Sequence, residues 1–246
     1  MTGFGLGGTA QAPAAKPANI AVVRLLICDL DDTLIDRDHA FASWLAAFAS
    51  QHGIDNNVVS RLTQEDRHGF RGRREFFAIV NQHLRPPIDV DLLIKDFHAS
   101  FAGYFQPLSS EIASALTSLR GEGWKVAVVT NGSRAQLTKM EATGVVQYVD
   151  AWCISEVDGV RKPDPAIFQL AAHRCGVDLS DAWMIGDSAE ADVGGAQAAG
   201  IRSAWLHHGR PWPLTTFRPT LIVDSVAEAV EQILVGGLPA ERPDSN

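Results

Sequence analysis

The 246-residue chain has no apolar run approaching 18 residues, so no segment reads as a membrane-spanning helix. Cysteine is scarce: Cys28, Cys153 and Cys175 are odd in number and lack the close spacing of a zinc site. They are expected to be reduced core residues of a cytoplasmic protein. Positive charge is in deficit, with 21 Lys and Arg against 29 Asp and Glu and a net charge of −8. That balance argues against nucleic acid or an anionic membrane surface as the main partner. Two familiar signatures of phosphate binding and acyl transfer, Gly-x-x-x-x-Gly-Lys-Ser/Thr and Gly-x-Ser-x-Gly, are missing. Residues 1–20 are rich in Gly, Ala, Pro and Thr, without the basic start and apolar centre of a signal peptide, and are expected to be a flexible tail.

What the chain does have is a concentrated acidic stretch. Val22 to Cys28 is nearly all apolar and short, as expected of a strand buried on both faces of a parallel sheet. It ends abruptly in Asp29, Leu30, Asp31 and Asp32. Three carboxylates in four residues repel one another unless a cation sits among them. Alternation along an extended backbone puts Asp29 and Asp31 on one side and Leu30 on the other. Such a pair can hold a hard cation and divide the chemistry, one member attacking and the other moving a proton. An acidic turn after a strand is the alternative on this stretch alone.

Farther along, apolar residues recur at helical spacing over Asp38–His52, Asp55–Arg67, Arg73–Leu84 and Asp89–Phe105, with Gly53, Gly69, Gly72 and Pro86-Pro87 as breaks. This predicts a helical insert over residues 37–105. After Pro107, strands at Lys125–Val129, Ala151–Ile154, Ala182–Ile185, Ser203–Leu206 and Leu221–Val223 alternate with helices, the last at Ser225–Leu234. Repeated βα units predict an α/β fold, a doubly wound parallel sheet with right-handed crossovers. The expected core covers residues 21–36 and 106–235, and 236–246 is expected to be a loose tail.

Each strand end carries polar residues suited to phosphate or metal. Thr130 offers a hydroxyl, and the amides of Asn131 and Gly132 precede a helix start, where an anion is favoured. Lys162 is a point charge able to neutralise phosphate and carboxylate together. Asp187 adds a carboxylate at a third strand end, and Asp192 lies at the start of a helix. Taken singly, these also fit a turn, a surface lysine and a helix cap. In order, Asp29-Leu-Asp-Asp-Thr-Leu34, Val128-Val-Thr-Asn-Gly132, Arg161-Lys-Pro-Asp-Pro165 and Gly186-Asp-Ser-Ala-Glu-Ala-Asp192 resemble the haloacid dehalogenase-like hydrolase superfamily, and the insert looks like its helical cap of the first type.

The resemblance implies a Mg²⁺-dependent phosphatase acting on a small-molecule phosphate monoester. Asp29 would be the nucleophile that becomes an aspartyl phosphate, and Asp31 the general acid and then base. Thr130 and Lys162 would bind the phosphoryl group, and Asp187 would hold Mg²⁺ with Asp29 and the Asp31 backbone carbonyl, Asp192 acting behind them. Rival readings are a 2-haloacid dehalogenase, disfavoured by the second carboxylate Asp31, a phosphomutase, and a regulatory protein on a retired phosphatase scaffold. From Arg37 to Phe105 eight basic residues balance eight acidic ones, so Arg71, Arg73 and Arg74 form a local cluster. Arg71, between two glycines, is the candidate substrate contact, gripping a second anionic group in a bidentate fork; the alternative is that Arg73 and Arg74 open a helix beside Glu75 and only solvate the surface. His207, His208 and His173 lack partners at ligand spacing and read as surface or structural residues.

Overall fold

The computed structural model describes residues 23–69 and 71–236. The expected tail over 1–20 lies outside these residues, as does that over 236–246 apart from Gly236, which closes the last helix. Among the described residues no helix is long and apolar enough to cross a membrane.

The apolar runs become six parallel strands: β1 (Leu25–Cys28), β2 (Lys125–Thr130), β3 (Ala151–Ile154), β4 (Trp183–Gly186), β5 (Arg202–Leu206) and β6 (Leu221–Val223). They form one sheet in the order β3-β2-β1-β4-β5-β6, the doubly wound topology expected of the βα pattern. All four residues of β1 are buried because helices cover both faces. Leu25 and Ile27 pack in one layer with Ile167 and Phe168 of the helix Pro165–Cys175. Leu26 and Cys28 join the other, with Leu116 and Leu119 of Ser110–Gly121 and Val230 and Ile233 of Val226–Gly236. The chain leaves β1 toward β2 and β3, then returns to place β4 on the opposite side of β1. A cleft opens where the winding direction reverses, at the carboxyl ends of β1 and β4. There the Asp29 amide donates to the Ile185 carbonyl at 2.9 Å, which carries the pairing one residue past β1.

The insert after β1 carries four helices, α1 (Arg37–His52), α2 (Asn56–Asp66), α3 (Arg73–Asn81) and α4 (Val90–Ser100), and the core helix Ser110–Gly121 follows before β2. Asp36 starts α1 by accepting from the His39 amide at 2.8 Å, and Gly53, at φ +65°, ends it in the left-handed conformation that glycine adopts without a Cβ penalty. The single helix expected over Asp89–Phe105 stops at Ser100 and tightens into a 3₁₀ turn, Phe101–Tyr104. Gly103 weakens helix propensity there, and Phe101 stacks on Phe97 with ring centroids 4.5 Å apart.

Aromatic rings hold the insert together. Trp44 meets Phe97 edge-on at 4.8 Å and Phe77 at 5.8 Å, while Phe41 meets Phe76 at 5.5 Å. Such pairs add about 0.5–1.5 kcal/mol beyond area burial. The cluster is continuous with the apolar layer under β1 and β2, so insert and sheet share one core. Phe77 is fully buried within it. Phe77→Ala is expected to cost about 3–5 kcal/mol in chemical denaturation; a loss below about 1 kcal/mol would show that the rings do not form a packed core.

Candidate active site

Asp29 follows β1, and its carboxylate meets the Lys162 ammonium at 2.6 Å. The same ammonium lies 2.7 Å from Asp192, whose side chain is fully buried. Burial alone would lower the Lys162 ammonium, but the charges of Asp192 and Asp29 outweigh it and hold it above its ordinary value. Burial raises both carboxyls, against the pull of Lys162. Asn131 places the lysine: its amide donates to the Lys162 carbonyl at 3.0 Å and accepts from the Lys162 amide at 2.9 Å. That side chain therefore anchors the lysine loop. The Gly132 amide donates to Ser155 Oγ at 3.0 Å. Of the two amides expected at an anion, that of Gly132 is thus engaged within the protein.

Asp187 follows β4. One carboxylate oxygen from each of Asp29, Asp187 and Asp192 lies within 4.8 Å of the others. An all-oxygen set of this kind suits a hard divalent cation. Burial and the charge of Asp29 raise the Asp187 carboxyl, as expected of acids gathered without full counter-charge. Asp192 does not open a regular helix. It sits in a π-helical turn, Ala189–Gly194, which runs into the short helix Gly195–Ala198. The wider turn brings Asp192 back to accept from the Ser188 amide at 2.9 Å. Gly186 makes room for it: a Cβ there would stand 2.2 Å from Asp192 Oδ2.

The Asp31 carboxylate takes another direction. Both its oxygens lie 2.7 Å from the Lys139 ammonium, and one accepts from Gln136 Nε2 at 2.9 Å. Burial would raise this carboxyl, but Lys139 and the Gln136 hydrogen bond hold it below the usual range. The same Gln136 nitrogen donates to Thr130 Oγ1 at 2.7 Å, which leaves the Thr130 hydroxyl proton for another acceptor. Among the three-residue acidic groups, Asp31 does not join the carboxylates of Asp29, Asp187 and Asp192.

Asp29, Asp31, Thr130, Lys162 and Asp187 line one cavity of about 480 Å³ at the switch point. Arg71 does not line it. Its guanidinium bonds the Glu65 carbonyl at 2.5 Å and the Glu65 carboxylate at 2.6 Å, and it also pairs with Glu75. This corrects the expected substrate fork: local carboxylates on α2 and α3 satisfy the arginine first. The basic residue of the insert that does enter this cavity is Arg37, buried against Asp66 at 2.5 Å. Arg210 reaches the Asp187 carboxylate at 3.0 Å, and His208, expected at the surface, lies 2.7 Å from the Asp32 carbonyl. Sequence reasoning passed over Arg37, Gln136, Lys139 and Arg210. A signal existed for two of them, since Gln136, Lys139, Met140 and Thr143 form one buried face of the helix Ala135–Thr143.

Carboxylates and a buried lysine thus gather at the switch point of a doubly wound α/β sheet, where such folds bind their ligands. The chain matches the sequence profile of the haloacid dehalogenase-like hydrolases over residues 23–200 and belongs to that family. It is 40% identical to the pyrimidine 5'-nucleotidase YjjG of Escherichia coli over 124 residues, 49% of this chain and 54% of that one. It is 24% identical to a glyceraldehyde 3-phosphate phosphatase of Pyrococcus abyssi, over 77% of this chain and 83% of that one. Among solved structures, the HAD-hydrolase YfnB of Bacillus subtilis, bound to magnesium, superposes with a TM-score of 0.71 at 22% identity, over 87% of this chain and 99% of that one. At that identity the likeness is one of fold.

Gly186→Ala is expected to displace Asp192 from Lys162 and lower stability by about 1–3 kcal/mol, read as a fall in melting temperature. An unchanged melting temperature would mean that Asp192 is not held where the close approach requires.

Proposed function

We propose that the chain is a metal-dependent phosphatase that hydrolyses a small-molecule phosphate monoester through an aspartyl-phosphate intermediate. The observation that carries this reading is the convergence of Asp29, Asp31, Thr130, Lys162 and Asp187 on one cavity. The phosphatase and nucleotidase relatives support the same class of reaction.

Asp29 is the nucleophile. Because burial raises the Asp29 carboxyl, neighbouring positive charge is needed both to keep it ionised and to cancel its repulsion with a phosphoryl dianion. Lys162, already 2.6 Å from Asp29, supplies part of that cancellation, and the Thr130 hydroxyl proton, left free by Gln136, donates to a phosphoryl oxygen. The oxygen set of Asp29, Asp187 and Asp192 fits Mg²⁺, with the Asp31 backbone carbonyl as a further ligand. When bound, Mg²⁺ neutralises charge on the phosphoryl group. Asp31, which Lys139 holds below the usual carboxyl range in the free protein, takes up a proton as the phosphoryl dianion binds beside it and passes it to the leaving alcohol oxygen. It then removes one from the water that cleaves the acyl phosphate, so that two easier steps replace one. A carboxylate at Asp31 also favours this chemistry over dehalogenation, which needs no proton donor for its leaving halide.

Asp29→Asn is expected to abolish turnover of p-nitrophenyl phosphate while leaving the melting temperature near that of the wild type, and chelation of divalent metal should silence the wild type. Near-normal turnover by this variant with Mg²⁺ present would sink the mechanism. Asp31→Asn should slow alkyl phosphates by about 10²–10⁴-fold and aryl phosphates, with their better leaving groups, far less. Equal losses across leaving groups would count against Asp31 as the acid.

A further inference from the structure

The cavity around Asp29 continues past Asp31. A second chamber of about 480 Å³ shares Asp31, Arg37, Asn131 and Arg161 with the first. Asp29 and Lys162 line only the first; Arg73, His98, Gln136 and Lys139 line only the second. Asp31 therefore stands on the partition. With a phosphoryl group at Asp29, Thr130 and Lys162, the leaving alcohol lies on the Asp31 side, where the chamber begins.

The walls of this chamber are short of negative charge. Arg37 and Arg73 share one buried carboxylate, Asp66, at 2.5 and 2.8 Å. Nη1 of Arg73 is buried with no hydrogen-bond partner. Lys139 is matched by Asp31. Arg161 is exposed at the rim and has no ion-pair partner among the described residues. Five cations, Arg37, Arg71, Arg73, Lys139 and Arg161, line the chamber with two carboxylates, Asp31 and Glu156; Asp38, Asp66, Glu65 and Glu75 pair with the first three from behind, which leaves Arg73 Nη1 and the Arg161 guanidinium with donors to spare. The titration of the walls points the same way. Burial lowers the Arg73 guanidinium despite Asp66, and the charge of Arg37 adds to the effect. Burial and then Arg73 lower His98.

The cations are held in place by rings. Arg73 lies 5.3 Å from the Phe97 centroid and Lys139 5.5 Å from that of Phe101. A guanidinium with a fixed plane and spare donors is suited to a carboxylate.

Building on the phosphatase reading above, we propose that this chamber is the leaving-group subsite and that it selects phosphate monoesters whose alcohol carries a carboxylate, bound by Arg73 and Arg161. The spare donors of Arg73 and Arg161 suit a carboxylate, and placement behind Asp31 puts that carboxylate on the alcohol and not on the phosphoryl group.

The test compares matched esters that differ in the carboxylate: phosphoglycolate with 2-hydroxyethyl phosphate, and O-phosphoserine with O-phosphoethanolamine. The wild type with Mg²⁺ is expected to favour the carboxylate member of each pair by at least about tenfold in kcat/KM, and Arg161→Ala to bring both ratios toward one. Arg73→Met should do the same, but it also removes a partner of Asp66 and can unfold the insert; the exposed Arg161 keeps the test valid. Turnover of p-nitrophenyl phosphate without any preference in the pairs overturns the subsite and leaves the phosphatase reading standing. A preference that Arg161→Ala leaves intact also overturns the subsite. Absence of turnover on every ester, p-nitrophenyl phosphate included, overturns the phosphatase reading and this proposal with it.

Discussion

One ammonium between two buried carboxylates holds the site together. Asp29 and Asp192 approach the same point from the ends of β1 and β4, and without a cation between them the fold would have to bury like charges side by side. Lys162 bridges them at 2.6 and 2.7 Å. Much of the local structure follows from keeping that bridge. Asn131 clamps the backbone of the lysine, Gly186 clears the space that Asp192 occupies, and the π-helical turn directs Asp192 inward. Residues from three strand ends and a loop are thereby tied to one charge, and the cavity beside it takes its shape from them.

A second ion pair divides the site by function. Lys139 and Gln136 turn the Asp31 carboxylate away from the Lys162 bridge, so the two members of the acidic pair sit in different electrostatic surroundings. Burial raises Asp29, while Lys139 holds Asp31 low. The two identical side chains thus sit in opposite electrostatic surroundings, and one glutamine joins the Asp31 carboxylate to the Thr130 hydroxyl. The insert takes part directly: Phe101 and Phe105 lie 5.5 and 5.3 Å from the Lys139 ammonium, and Arg37 enters the wall of the cavity. The helices between β1 and β2 are therefore part of the site as well as its cover.

Much of the fold was legible in the chain because its signals are local. The apolar runs at Leu25–Cys28 and Lys125–Thr130 are short and end in polar clusters, and a parallel sheet places such ends together whatever the strand order. Helix starts could be read from Asp36 and Asp164, and stops from Gly53 and Gly144. Less legible were features decided by competition between neighbours. Arg71 looked free in sequence, yet Glu65 and Glu75 are close enough on adjoining helices to engage all three of its guanidinium nitrogens. Arg210 gave no sign of its place because its partner, Asp187, is brought near only by the return of the chain from β5.

By itself, then, the sequence determined which residues stand at the carboxyl ends of the strands, since alternation and abrupt polar endings are properties of a few adjacent residues. Tertiary structure decided which charge each of them meets. A pairing such as Lys139 with Asp31 spans 108 residues and depends on how one helix face packs against the insert, and the energy of a buried charge depends on its partners at a few ångströms rather than on its neighbours in the chain.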